Sequence, residues 1–467
     1  MEHKNNGIFC FCIFFCYAFL ICFFVVGIRS TISEQEGRKL AEFPKLSVQN
    51  YLDGSFTSGV TAWFSDTVPE RDALMSAALS VQELKGISLH GNGEEIQFHG
   101  FAATSGGSTK DGAAKDAADG AANGTSDTAG DDGRAEDAAA AHQNETIDEE
   151  FTTVEAEDFT TVSNGIIVTG SGSKTRAMML YGGSTEVTTR YAKTANRYKE
   201  LMPDVNVYVM VIPTAISYYC PASVEEYTKS QAEQINNVIK NLNDDVVGLN
   251  VYSAIGEHRD EDIYLRTDHH WAPRGAYYAA KELAKAAGVP FLDLNKDYDT
   301  DVVHDYVGTM YMYAQDIRIK NNPEDFIYYI PKKVKLTTTY INCKLDSDWK
   351  VIGEEEPLEA LFYIKQPDGS RDAYSTFMGG DAKTTKVTTS TGNDRKLLII
   401  KDSFGNALPE FLFGSFSEVH IIDSRYFIHN VRDYVKENGI TDLLFANNAF
   451  HAATESTVAA YERYLTQ

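Results

Sequence analysis

Ser403 stands where an apolar strand gives way to a helix, and a hydroxyl there can serve as a nucleophile. The stretch reads Leu397-Leu-Ile-Ile-Lys-Asp-Ser-Phe-Gly-Asn-Ala, with the strand ending at Lys401-Asp402 and Ser403 opening the helix. Unpaired backbone N–H groups at a helix N-terminus would stabilise a developing oxyanion beside that hydroxyl. The same residues could simply cap the helix, and the stretch is not a Gly-x-Ser-x-Gly elbow. A second stretch, Tyr264-Leu-Arg-Thr-Asp-His-His-Trp-Ala-Pro-Arg-Gly-Ala, supplies the partners a serine needs. Pro273 suits the first turn of a helix, so Asp268, His269, His270 and Trp271 fall on the loop before it. In extended backbone, residues i and i+2 share a side. Asp268 and His270 should therefore point together, the carboxylate orienting and charging the imidazole as it does for a general base. His269 should point the other way and make structural contacts only. Asp-His-His could instead hold a metal, but no HExxH or further His/Cys spacing completes a site nearby. The base reading is preferred, and neither a metal nor a cofactor is expected. A third stretch, Asp442-Leu-Leu-Phe-Ala-Asn-Asn-Ala-Phe-His, ends a strand in two amides. Asn447 or Asn448 could donate to an oxyanion, or could merely form a strand-end turn.

These stretches need a scaffold that brings strand ends together, and the intervening sequence supplies one. Helix-like segments at 185–201, 224–242, 407–413 and 428–437 alternate with β-branched segments at 205–212, 246–252, 397–400, 419–422 and 443–445. Such alternation predicts an α/β domain over 156–467, a parallel sheet with helices on both faces. In such a sheet, ligands bind outside the carboxyl ends of the strands. Residues 293–394 are rich in Tyr, Thr and Lys without a clean period and read as a β-rich insertion of unknown role. Its tyrosines could stack on sugar rings or be ordinary sheet residues.

The rest of the chain places this domain. From Ile8 to Ile28 no residue is charged, and a helix of that length spans roughly 30 Å, a bilayer core. Residues 1–30 are expected to be a transmembrane anchor, or else a cleaved signal segment. Lys4 before the run puts the N-terminus inside and everything after Arg29 outside the cytoplasm. Residues 31–100 read as a helical lead-in packed on the main domain. Residues 101–155 are Ala, Gly, Ser and Asp with almost nothing to bury, which predicts disorder. Between 101 and 150 there are 12 acidic and 3 basic residues, so part of the formal charge of −25 is local. That balance excludes nucleic acid as a partner, since phosphate binding needs a basic face. Four of the six cysteines lie in the apolar segment; Cys220 and Cys343 could form one disulfide or stay as separate thiols.

The Thr267-Asp-His-His-Trp and Lys401-Asp-Ser-Phe-Gly-Asn motifs resemble those of the DHHW family, which is similar to the SGNH-hydrolase-like proteins that O-acetylate alginate outside the cytoplasm. Phe43-Pro-Lys-Leu-Ser, Asp66 followed by Pro69-Glu-Arg71-Asp, and Phe377-Met-Gly-Gly-Asp match as well. The resemblance implies Ser403 as nucleophile, His270 as base and Asp268 as its orienter, in an order circularly permuted relative to ordinary SGNH hydrolases. It implies oxyanion or substrate-binding roles for Asn447 or Asn448, for Gly405, and for Arg425 in the Asp423-Ser-Arg-Tyr block. Two departures stand out: Lys401 replaces the usual Gly, and the insertion at 293–394 has no counterpart in small SGNH domains. The implied activity is O-acylation, acetylation above all, of an extracellular polysaccharide, with the acyl group arriving through a membrane-bound partner. The alternatives are an O-acetylesterase with the same triad and a non-catalytic glycan-binding surface protein.

Overall fold

The computed structural model describes residues 165–346 and 350–467 without a break, and shorter stretches between 29 and 163. It divides into a unit of residues 1–95 with 315–317 and a larger unit of 96–314 with 318–467. Residues 1–28 of the anchor expected over 1–30 lie outside the described residues, as do 101–144 of the expected disordered insert. Among the described residues no helix is long and apolar enough to cross a membrane. The smaller unit contains helix Ser55–Asp66, within the expected lead-in. Its end is held by Arg29, which donates to Thr67 O at 2.8 Å and lies 4.4 Å from the Trp63 ring.

Nine described strands of the larger unit form one sheet. They are β1 (Asn206–Ile212), β2 (Val246–Gly248), β3 (Leu336–Leu345), β4 (Val351–Glu354), β5 (Leu358–Ala360), β6 (Lys383–Thr389), β7 (Lys396–Lys401), β8 (Glu418–Asp423) and β9 (Asp442–Asn448). The order is β4-β3-β6-β8-β7-β9-β1-β2, with β5 also pairing β3. From β8 through β2 all neighbours are parallel. The sheet is nonetheless mixed, because β6 adds to β8 antiparallel and β3 to β6. Much of the stretch read as an insertion is thus the continuation of the main sheet. Along β7 and β9 successive residues are buried whichever face they take, as in a sheet covered on both sides.

Helix α1 (Thr185–Leu201) runs where the sequence places it, with Ser184 as its N-cap. Val187, Tyr191, Ala195 and Tyr198 recur every three or four residues and form its buried face. The predicted helix at 224–242 is broken: a 3-10 turn ends at Tyr227, and Ser230 caps a new helix, α2 (Gln231–Lys240). The predicted strand at 246–252 stops at Gly248, because Asn250 caps helix α3 (Val251–Gly256). No α-helix forms at 407–413; 3-10 turns at Ser403–Ala407 and Pro409–Phe411 meet at Pro409, which lacks the N–H an α-helix would use. Order also begins before residue 155. Asn236 donates to Ile147 O and accepts from Ile147 N–H, and the Ile147 side chain is buried. Cys220 is buried, Cys343 half-buried, and both are free thiols.

Candidate active site

Three loops meet at the carboxyl ends of β7 and β9. The first precedes helix α4 (Pro273–Ala287), whose Pro273 sits in its first turn. Gly275 lets that helix approach the chain, since a Cβ there would lie 2.4 Å from Ile263 O. Residues Tyr264 and Trp271 bridge the base of the loop. Glu324 fixes its middle, accepting from Arg266 N–H, Thr267 N–H and the Thr267 hydroxyl at 2.6 to 2.9 Å. The second loop carries Ser403 directly after β7, and Asp402 holds its shape. Asp402 caps the 3-10 turn by accepting from Phe404 N–H at 2.9 Å, and also accepts from Asn448 N–H at 2.8 Å. One buried carboxylate thereby joins the ends of β7 and β9.

Held in this way, Ser403 Oγ lies 2.8 Å from His270 Nε2, and His270 Nδ1 lies 2.6 Å from Asp268 Oδ1. Asp268 is buried and collects five donors. His270 N–H and Nδ1–H bond Oδ1, while the Tyr306 hydroxyl, Thr309 N–H and Thr309 Oγ1 bond Oδ2. Burial opposes the Asp268 charge, but the neighbouring His270 and His269 and these hydrogen bonds outweigh it and hold the carboxyl well below its usual range. With Asp268 ionised and accepting, Nδ1 of His270 carries the proton and Nε2 presents a lone pair to the serine hydroxyl. The His270 ring stacks on Tyr374 at 3.9 Å and 3°. Tyr374 is itself fixed, its hydroxyl and Trp271 Nε1–H both donating to Phe404 O at 2.8 and 2.7 Å.

Several side chains lie differently from the sequence reading. His269 does not turn away: its ring centre is 3.8 Å from that of His270, because the loop is bent rather than extended. Asn447 Oδ1 accepts from the Tyr191 hydroxyl at 2.7 Å and from Tyr461, and its amide nitrogen faces Asp402 at 3.4 Å. Asn448 caps the turn Ala449–Ala452, its Oδ1 taking Phe450 and His451 N–H. The Asn447 amide is thereby turned to Asp402, and the Asn448 amide nitrogen faces His451 Nδ1 at 3.1 Å while its backbone N–H makes the tie to Asp402. Gly405 N–H donates to Asp402 O, and a Cβ at Gly405 would lie 2.5 Å from that of Lys401. Lys401, placed where a glycine was expected, is buried between Asp381 and Asp423 at 2.9 Å each. Burial works against its charge, but the two carboxylates outweigh it and raise its pKa. Arg425 binds the same pair of carboxylates at 2.8 Å. Asp268, His269 and His270 are close enough together to hold an ion. Yet His270 uses both ring nitrogens, and the acceptor capacity of Asp268 is already filled by protein donors.

Tyr306, Gly308, Thr309 and Tyr374 do not stand out in the sequence, and Asp381 does so only as the end of the Phe377-Met-Gly-Gly-Asp motif, without a role. All come from residues 293–394, which therefore build one wall of the site. Gly308 has the sharpest requirement, since a Cβ there would lie 2.4 Å from both Cβ and Oδ2 of Asp268. Gly308→Ala should push Asp268 off His270 and lower kcat/KM by roughly a hundredfold or more, the scale of a small misplacement at a reacting centre. Steady-state ester hydrolysis checks this, and kcat/KM within threefold of the parent would refute it.

The sequence family described as DHHW protein matches residues 36–100 and 143–422, most of the chain and all three loops but that after β9. The chain belongs to the DHHW family. Its Asp268-His269-His270-Trp271 motif is thus the loop that orients the candidate base. A DHHW family protein from Eubacterium siraeum has a similar crystal structure, at 39% identity and a TM-score of 0.60, covering 67% of this chain and 99% of that one. PatB1 of Bacillus cereus is similar in fold at 19% identity and a TM-score of 0.50, covering 62% of this chain and 99% of its own. The O-acetyltransferase domain of Pseudomonas putida AlgJ is more remote, at 12% identity and a TM-score of 0.34, covering 61% and 93%. No curated protein matches the chain. The mixed α/β fold with a central sheet is thus one that this DHHW protein shares with other solved structures.

Proposed function

We propose that this DHHW protein is an O-acyltransferase, acting as an acetyltransferase on hydroxyls of a cell-surface or secreted polysaccharide. The observation that carries the reading is the aligned set Ser403 Oγ–His270 Nε2–Asp268, at 2.8 and 2.6 Å. Ser403 gives its proton to His270 Nε2 as Oγ attacks the carbonyl carbon of a donor ester. The tetrahedral adduct collapses, and the departing alkoxide takes that proton, leaving Ser403 acylated. A sugar hydroxyl then gives its proton to His270 as its oxygen attacks the acyl carbon, and Ser403 Oγ leaves with the proton restored. Asp268 stays ionised throughout and steadies the imidazolium. Ser403 N–H takes no part in the hydrogen bonds that hold Phe404 and Gly405, which suits it to the oxyanion. The Arg425 guanidinium is half-exposed and suits a substrate contact. In this reading the fold is SGNH-like with permuted motif order. The apolar segment at 1–30 tethers the domain outside the cytoplasm, and a membrane-bound partner delivers the acyl group.

An aryl acetate supplied with and without an oligosaccharide acceptor tests this. Acetyl should pass to the sugar when the acceptor is present and to water when it is not. Release into water at the same rate in both cases would make the protein an esterase. No Ser403-dependent release in either case would remove the catalytic reading and leave a glycan-binding protein.

A further inference from the structure

The triad uses one of two adjacent histidines, and the other is held as carefully. Thr309 Oγ1 has a single hydrogen, which it donates to the ionised Asp268 Oδ2 at 2.9 Å. It can only accept from His269 Nδ1, 2.6 Å away, so Nδ1 carries the ring proton and Nε2 is left as a bare acceptor. Burial, with His270 alongside, pushes the His269 pKa down to about 3, so the ring stays neutral at any working pH. His269 Nε2 makes no hydrogen bond among the described residues. Its side chain keeps 23% of its surface exposed against 8% for His270. Beside it stands Tyr313, 45% exposed, with ring centres 6.3 Å apart. An exposed aromatic ring next to a fixed acceptor suits a sugar, which offers an apolar face and hydroxyl donors together.

We propose that His269 Nε2 is the acceptor-alcohol subsite: it receives a hydrogen bond from the hydroxyl adjacent to the one being acylated, selecting acceptors that carry a vicinal diol. This rests on the acyltransferase reading above. The attacking hydroxyl faces His270 Nε2, and its neighbour on the same ring reaches His269, whose ring lies 3.8 Å from that of His270. Tyr313 supports the ring carbons. A charged or differently protonated His269 would present a hydrogen where the diol needs an acceptor, which explains the lock through Thr309.

The test uses the full chain, an aryl acetate donor, and cis-cyclohexane-1,2-diol or cyclohexanol as acceptor. The readout is how one acyl-enzyme divides between alcohol and water. The parent should favour the diol over the mono-alcohol at least tenfold. His269→Phe should erase that preference, and His269→Gln, whose side-chain oxygen is an acceptor, should restore part of it. An equal preference in the parent and the Phe variant would overturn the assignment. So would a loss of transfer and hydrolysis in the same proportion, which is what a merely structural His269 gives. A parent that shows no Ser403-dependent release overturns the acyltransferase reading and this subsite with it.

Discussion

Ser403→Ala should lower ester turnover by roughly four to six orders of magnitude while leaving the fold in place. Ser403 is half-buried and its hydroxyl makes one hydrogen bond among the described residues, to His270 Nε2, so its removal costs little packing. It removes the atom that forms the covalent intermediate, and loss of a nucleophile leaves only binding and oxyanion contributions to rate. Burst kinetics with an aryl acetate, together with a thermal melt of both proteins, measure the two halves of this prediction. Turnover within tenfold of the parent would take Ser403 out of the chemistry. A collapse of the melting transition would mean that the residue is structural instead.

Asp268→Asn should cost about four orders of magnitude in kcat, and here stability should fall as well. The five donors around Asp268 include His270 Nδ1–H, the Tyr306 hydroxyl and Thr309 N–H. An amide has one acceptor oxygen, so its NH2 must face donors whichever way it turns. If it faces His270, the imidazole is driven to the other tautomer and Nε2 can no longer take the serine proton, a loss of about 10⁴ in a comparable triad. If it faces Thr309 and Tyr306, buried donors are left unpaired at about 1–3 kcal/mol each. A variant with kcat within tenfold of the parent would show that the carboxylate neither charges nor orients His270.

Both predictions start from residues that stand out in the chain itself. Asp268 and His270, two apart before a Pro-initiated helix, and Ser403 after an apolar strand follow local rules of spacing and capping, and the structure brings the three within hydrogen-bonding distance. Strand β7 and helix α1 also obey local pattern closely enough to be placed within a residue or so. Where local rules compete, the fold departs from the simple pattern. The bent loop cancels the alternation that would have turned His269 away. Ser230 and Asn250 start helices because a capping side chain outweighs the apolar run in which it lies.

What the sequence determined by itself was the chemical vocabulary: a serine at a strand end, an Asp-x-His loop, an α/β alternation, and a strongly acidic charge balance. What only the tertiary structure decided was who accepts from whom. Tyr306 and Thr309 reach Asp268 across about 40 residues, Tyr374 stacks on His270 from more than 100 away, and Asn447 and Asn448 are drawn to Asp402. The reason is physical. A buried carboxylate must collect whatever donors the fold carries to it, and that census depends on the packing of distant strands and loops, which no local spacing encodes.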